Sequence, residues 1–163
     1  MKRNRSKISM IFLFILCLVS CDSKGVYDSY TTVENQSWEK EKAVWFTFKV
    51  HDTIKQNNLF INIRNNKAYA YSNLFLITEL KFPNGKKIVD TLQYEMADVS
   101  GKFLGTGLTE IKESKLFYKE NVVFPSSGDY KISISQAMRK NGEIDGVKTL
   151  EGITDVGFRI EKK

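Results

Sequence analysis

An all-β sandwich of about eight strands, Ig-like or jelly-roll-like, is the fold that residues 26–163 of this sequence predict. Three observations carry the prediction. Apolar residues alternate with a period of two through much of the chain. Turn residues punctuate those runs, as in Pro83-Asn84-Gly85 and between Pro125 and Gly128. Apolar spacing of the helical kind is scarce.

The elements follow in order. A strand is expected to open the domain over 27–33. In 44–50, Val44, Phe46, Phe48 and Val50 share one face, while Trp45, Thr47 and Lys49 share the other. In 59–63, Leu59, Ile61 and Ile63 align against Phe60 and Asn62. The run 74–82 aligns Leu74, Leu76, Leu80 and Phe82 with Thr78, turns at Gly85, and returns as 88–94, which predicts a hairpin. Later strands are expected over 122–124, 130–135 and 156–160. The charged stretch 109–120 reads as a short helix or an irregular strand, and 135–138 as a helical turn at a strand end. No internal repeat, low-complexity segment or second-domain linker is visible.

The first residues read as an address. Lys2, Arg3, Arg5 and Lys7 precede an apolar run over 8–19 that only Ser9 interrupts. Spanning a bilayer takes about 20 apolar residues, so this run has the size of a signal-peptide core. Leu18-Val19-Ser20-Cys21 matches a bacterial lipobox, in which the cysteine thiol takes a diacylglyceryl group and the freed amine is then acylated. Residues 1–20 are therefore expected to be cleaved, Cys21 to carry lipid, and residues 21–25 to form a short tether. Five extended residues reach only about 17 Å, which places the domain close to the bilayer. No later stretch approaches a transmembrane length. A single aspartate after the cysteine is a weak surface-export signal, so a periplasm-facing position is expected.

Cleavage changes the charge. The whole chain carries 25 basic and 19 acidic residues, a formal charge of +6. Removing four basic residues and no acidic ones leaves +2, which takes away the main support for nucleic-acid binding. Cys17 leaves with the leader and Cys21 is blocked, so no thiol remains for a disulfide or a metal. The single histidine, His51, argues against a His-based metal site or catalytic triad.

No enzyme signature appears, and no catalytic, metal or cofactor site is expected. The glycines of Gly101-Lys102-Phe103-Leu104-Gly105-Thr106-Gly107 lack the Lys-Ser/Thr of a phosphate loop and read as turn or bulge residues. Asp90, Asp98, Asp145 and Asp155 would have to converge in a cleft to serve a hydrolase. Trp38, Trp45, Tyr69, Tyr71 and Tyr118 are interspersed with polar residues; they either close the sandwich ends or stand exposed for a partner or a sugar. Arg64 and Arg139 sit at strand ends, suited either to a partner's carboxylate or to an internal clamp.

Taken in order, the local motifs resemble the gliding motility lipoprotein GldH family of the Bacteroidetes. The resemblance rests on Asn58 to Asn65, Tyr71-Ser72-Asn73-Leu74-Phe75-Leu76-Ile77, Asp90-Thr91-Leu92, and Leu104-Gly105-Thr106-Gly107. It continues through Lys112-Glu113-Ser114-Lys115-Leu116, Tyr118-Lys119-Glu120-Asn121, Gln136-Ala137-Met138-Arg139 and Gly152 to Ile160. It covers essentially the whole chain after the lipobox. It implies an outer-membrane lipoprotein needed for gliding and tied to the type IX secretion system. It implies no enzyme activity and no cofactor. Partners are then the membrane, through the lipid, and other envelope proteins of that apparatus. Arg64, Tyr71, Asn73, Lys115, Tyr118 and Arg139 are the candidate interaction residues. The phylum also glycosylates periplasmic proteins at Asp-Ser/Thr motifs, which makes Thr53 and Thr91 candidate O-glycosylation sites. A carbohydrate-binding envelope lipoprotein is the alternative; it requires exposed, coplanar aromatics.

Overall fold

The computed structural model describes residues 24–140 and 142–163. The leader and Cys21 lie outside the described residues. Ten strands follow in order: β1 (Gly25–Thr32), β2 (Ser37–Glu39), β3 (Val44–Val50), β4 (Asn57–Asn65), β5 (Asn73–Lys81), β6 (Lys87–Glu95), β7 (Lys112–Val122), β8 (Gly128–Gln136), β9 (Thr149–Glu151) and β10 (Ile153–Lys162). A single 3-10 turn, Glu34–Gln36, separates β1 from β2. Two four-stranded antiparallel sheets result, ordered β1-β10-β4-β7 and β3-β8-β5-β6, with β2 and β9 as a small ribbon. The architecture is the all-β sandwich that the alternation predicts, with ten strands where about eight are expected.

Alternation decides which face each strand buries. Val44, Phe46, Phe48 and Val50 point inward, and Trp45, Thr47 and Lys49 point out. Leu59, Ile61 and Ile63 meet Val156, Phe158 and Ile160 of the neighbouring β10 on the same inner face. Aromatic rings cluster in the core towards the end where β1 begins. There Phe48 stacks on Tyr130 at 5.6 Å, with Phe124, Phe82 and Phe158 packed around the pair.

Two expectations need correction, and one alternative is resolved. The charged stretch 109–120 is not a helix but an irregular strand: from Lys112 it forms β7, the longest strand, whose pairing with β4 is interrupted by register shifts. The strand expected over 122–124 is only the tail of β7, which ends at Val122. Residues 135–138 do not turn helically; β8 runs on to Gln136, whose side-chain amide donates to Val147 O. β7 hides in the sequence because its inward residues include Ser114 and Tyr118 beside Leu116. Its register against β4 also shifts at Leu59/Phe60, where Tyr118 is the extra residue of a bulge.

Strand order places β6 and β7 along one side of the sandwich and β1 and β3 along the other. On the first side, Tyr118 Oη donates to Asp90 Oδ2 at 2.8 Å, Tyr94 Oη donates to Phe117 O at 2.6 Å, and Lys119 pairs with Asp90 at 2.9 Å. These bonds link the two sheet edges without a backbone ladder and cap β6 against foreign strands.

Candidate functional site

The outer face of the β1-β10-β4-β7 sheet is unusual for a surface. In a simple sandwich the outward residues of a central strand are solvated. Here Phe60 and Asn62 of β4 are 5% and 2% exposed although both point away from the core. Side chains from β1 and β7 cover them.

Tyr30 is the main cover. It stands on β1 opposite Gly157 of β10, which in turn stands opposite Asn62 of β4. A β-carbon at Gly157 would lie 2.8 Å from Tyr30 Cδ1 and Cε1, so the missing side chain lets the ring lie flat across β10. At its far end, Asn62 Nδ2 donates to Tyr30 Oη at 2.8 Å, and the hydroxyl donates to Glu113 Oε1 at 3.1 Å. The Arg64 guanidinium lies 4.2 Å from the ring centroid and donates from Nε to Glu113 Oε2 at 2.6 Å. One phenol, one guanidinium, one amide and one carboxylate thus tie β1, β4 and β7 together over β10.

A second cluster continues the face. Phe60 and Phe117 meet at 4.6 Å, with Lys115 Nζ 4.1 Å from the Phe60 ring. Lys115 pairs with Glu161 at 2.7 Å, Glu161 also accepts from Arg159 Nε at 2.6 Å, and Arg159 reaches Asp28. Phe117 remains 53% exposed. The result is an aromatic and arginine-bearing surface tied together by ion pairs and hydrogen bonds, the composition that concentrates binding energy at protein interfaces.

The electrostatics follow from burial. Partial burial, then the Glu113 charge and hydrogen bond, push the Tyr30 hydroxyl up to about 12 from an ordinary 10.0. Burial, then the Asp90 charge, does the same to Tyr94. Burial opposes ionisation of Glu161, yet hydrogen bonds from Lys115 and Arg159 hold its carboxyl below the usual range. The signs give a testable pH dependence. A tyrosine raised in the fold ionises earlier in the unfolded chain, so its stabilising share is complete below pH 10.0 and is lost as pH rises towards about 12. Melting temperature is expected to fall steadily through that window, with Tyr30→Phe flattening part of the slope. Thermal melts in alkaline buffers check this; a flat profile would refute it.

The sequence-derived candidates divide. Arg64 and Lys115 lie together on this face. Tyr118 is turned inward at 8% exposure and closes the edge of the sandwich through its bond to Asp90. Tyr71 is half-buried with its ring edge-on to the buried Tyr69 at 5.9 Å, and Asn73 lends its carbonyl to Tyr69 Oη at 2.6 Å. Arg139 is exposed far away, in a bridge with Gly146. Thr53 is exposed in the β3–β4 loop, and Thr91 is exposed within β6 opposite Ile77. Tyr30, Glu113 and Gly157 were not among the candidates. Glu113 and Gly157 lie within the family motifs at 112–116 and 152–160, and Gly157 is also a glycine inside the apolar run Val156-Gly157-Phe158.

Other chemistry finds little support. Among the described residues, no cluster of three or more His, Cys, Asp or Glu could hold a metal. The four aspartates named above are engaged separately: Asp90 by Tyr118 and Lys119, Asp98 by its own turn, Asp155 by Thr32 and Thr154, while Asp145 sits in the β8–β9 loop. The run 101–107 forms a loop in which Thr106 pairs with Glu113, and a strand follows it. Trp38 is buried and donates to Lys42 O, Tyr69 is buried, and the Tyr69 and Tyr71 rings stand at 62°. Trp45 is exposed beside a cleft of about 600 Å³; the other aromatic lining that cleft, Trp38, is only 2% exposed, so the two do not make an exposed platform for a sugar.

Comparison with known proteins places these features in a family. The sequence model described as GldH lipoprotein matches residues 25–160. The chain is 57% identical over 155 residues to a protein of Christiangramia forsetii named gliding motility lipoprotein GldH homolog, covering 93% of this chain and 94% of that one. It is 50% identical over 154 residues to the gliding motility lipoprotein GldH of Flavobacterium johnsoniae, covering 94% and 95%. Among solved structures, the VP2 subviral particle of infectious bursal disease virus aligns with 86% of this chain and 34% of its own. Its TM-score of 0.38 and identity of 14% carry no functional argument.

Proposed function

The chain belongs to the GldH lipoprotein family, and on that premise we propose a membrane-anchored motility lipoprotein that works by binding a protein partner, not by catalysis. The observation that carries the reading is the outer face of the β1-β10-β4-β7 sheet. Its charged groups are already consumed by one another, which suits a rigid docking surface and leaves no free acid–base pair for turnover. Phe117 supplies the exposed anchor, and Arg64, Tyr30 and Lys115 supply a polar frame around it. Acylated Cys21 holds the domain at the outer membrane, facing the periplasm, and the partner is an envelope protein of the gliding and type IX secretion apparatus.

Site-specific photo-crosslinking in cells tests this. A crosslinker at Phe117 is expected to capture a discrete envelope protein, and one at Thr91 on the opposite sheet is not. Equal capture at both positions, or none at Phe117, would overturn the assignment of this face. A deletion strain is expected to lose spreading on surfaces; normal spreading and secretion would overturn the motility role.

A further inference from the structure

The two ends of the sandwich differ in charge. At the end where β1 begins, the chain termini of the fold bring Lys24, Lys162 and Lys163 together, with Lys162 N donating to Lys24 O at 2.9 Å. The end of β3 and the loop after it add Lys49 and Lys55, the β5–β6 hairpin adds Lys81, Lys86 and Lys87, and β8 adds Lys131. Against these nine stand five acids, Asp52, Glu79, Glu120, Asp129 and Glu161. At the opposite end the charges nearly balance: Glu34, Glu39, Glu41, Asp98, Glu110, Glu143 and Asp145 stand among Lys40, Lys42, Lys67, Lys102, Arg139, Lys140 and Lys148.

The lysines are not merely scattered. Lys131 stands directly opposite Lys81, and Lys81 directly opposite Lys87, in one cross-strand row on the outer face of the β3-β8-β5-β6 sheet. Like charges in direct register repel and cost stability. Glu79 relieves only Lys87, at 3.0 Å. A row that disfavours the free fold points to an external anion.

Position identifies the anion. Because Lys24 O is held by β10, Cys21 lies within three residue steps of a fixed point on this end, about 10 Å of extended chain. That is about one screening length in physiological salt. A lipid on Cys21 therefore holds this end of the sandwich, the end that carries the lysines, towards the headgroups. We infer that the tether-side end of the sandwich, centred on Lys81, Lys87 and Lys131, docks on anionic phosphate headgroups of the bilayer and fixes the domain's orientation on the membrane. The far end, where acids and bases balance, then faces away, and the β1-β10-β4-β7 face stands roughly upright where a partner can reach it. The inference rests on the anchoring reading but fails separately from it: intact mass of the native protein reads the acyl group, and vesicle binding reads the lysines.

The test uses residues 24–163, which hold every buried core residue from Val33 to Ile160. Co-sedimentation is measured with vesicles of phosphatidylcholine alone and of phosphatidylcholine and phosphatidylglycerol in equal parts. Binding is expected only to the anionic vesicles and is expected to weaken with salt. Each lysine near such a surface is worth about fivefold, so Lys81→Gln, Lys87→Gln and Lys131→Gln combined are expected to reduce binding tenfold or more. The far-end set Lys102→Gln, Lys140→Gln and Lys148→Gln is expected to leave it unchanged. A thermal melt of each variant verifies folding, and loss of the lysine row is expected to raise stability slightly. Equal binding to neutral vesicles, or equal loss in both lysine sets, would overturn the inference. So would displacement from anionic vesicles by inorganic phosphate at matched ionic strength, which would make this a site for free phosphate.

Discussion

Gly152→Ala is expected to lower the melting temperature by roughly 10 °C or more, through a loss of about 4 kcal/mol. Two costs combine. Gly152 sits at φ +84° in the tight connection between β9 and β10, where an L side chain costs about 1–2 kcal/mol. The added β-carbon would also lie 2.2 Å from Tyr69 N and 2.7 Å from Ala68 C, both backbone atoms. Retreat is blocked on every side. Gly152 N donates to Gln36 O, Asn66 N donates to Gly152 O, and Tyr69 N donates to Asn66 O. Tyr69 itself is buried, with its hydroxyl fixed to Asn73 O. Moving any of these uncouples the β4–β5 loop from the β2–β9 ribbon. Differential scanning calorimetry of the purified domain checks the prediction; a loss of under 2 °C would mean the loop is far softer than its hydrogen bonds imply.

How much of this could be read from the chain depends on range. Val44 to Val50 announces its inner face because every second residue is bulky and apolar, and β5 with β6 announces itself through Pro83-Asn84-Gly85. These are local signals. β7 is ambiguous, since its inner row mixes Ser114, Leu116 and Tyr118 and its outer row mixes Glu113, Lys115, Phe117 and Lys119. β2 and β9 are three residues each, too short for any periodicity. The docking face is harder still. Arg64 is legible as a guanidinium at a strand end, and Lys115 enters only through the family motif at 112–116. Their partners are not legible as such, because Tyr30, Glu113 and Gly157 become neighbours only through the order β1-β10-β4-β7. That order is set by long-range pairing and has no local signature. The same holds for the lysine row, whose three members come from three strands.

Gly157→Ala is expected to abolish most capture at Phe117, by about tenfold or more, while changing the melting temperature by only a few degrees. Gly157 lies in a regular strand, so alanine meets no backbone penalty there. The cost falls on one outward contact: the methyl would sit 2.8 Å from the Tyr30 ring and 3.2 Å from Asn62 Cβ. The ring is half-exposed and can lift, so the fold survives while the face does not. Lifting it removes the cation–π contact to Arg64 and the hydrogen bond from Asn62, and it leaves the Arg64–Glu113 pair exposed to water on one side. The tyrosine hydroxyl, freed from burial and from Glu113, should then ionise closer to its ordinary 10.0 than to about 12. Near-ultraviolet titration of tyrosinate reads that step independently of any partner. Tyr30→Phe separates the two roles of the residue, since it keeps the ring over Arg64 and loses only the hydroxyl; it is expected to retain most capture. A Gly157→Ala protein whose tyrosine titration shifts as expected but whose capture is undiminished would place the partner elsewhere. A protein in which neither changes would mean that the ring is not held flat across β10 at all.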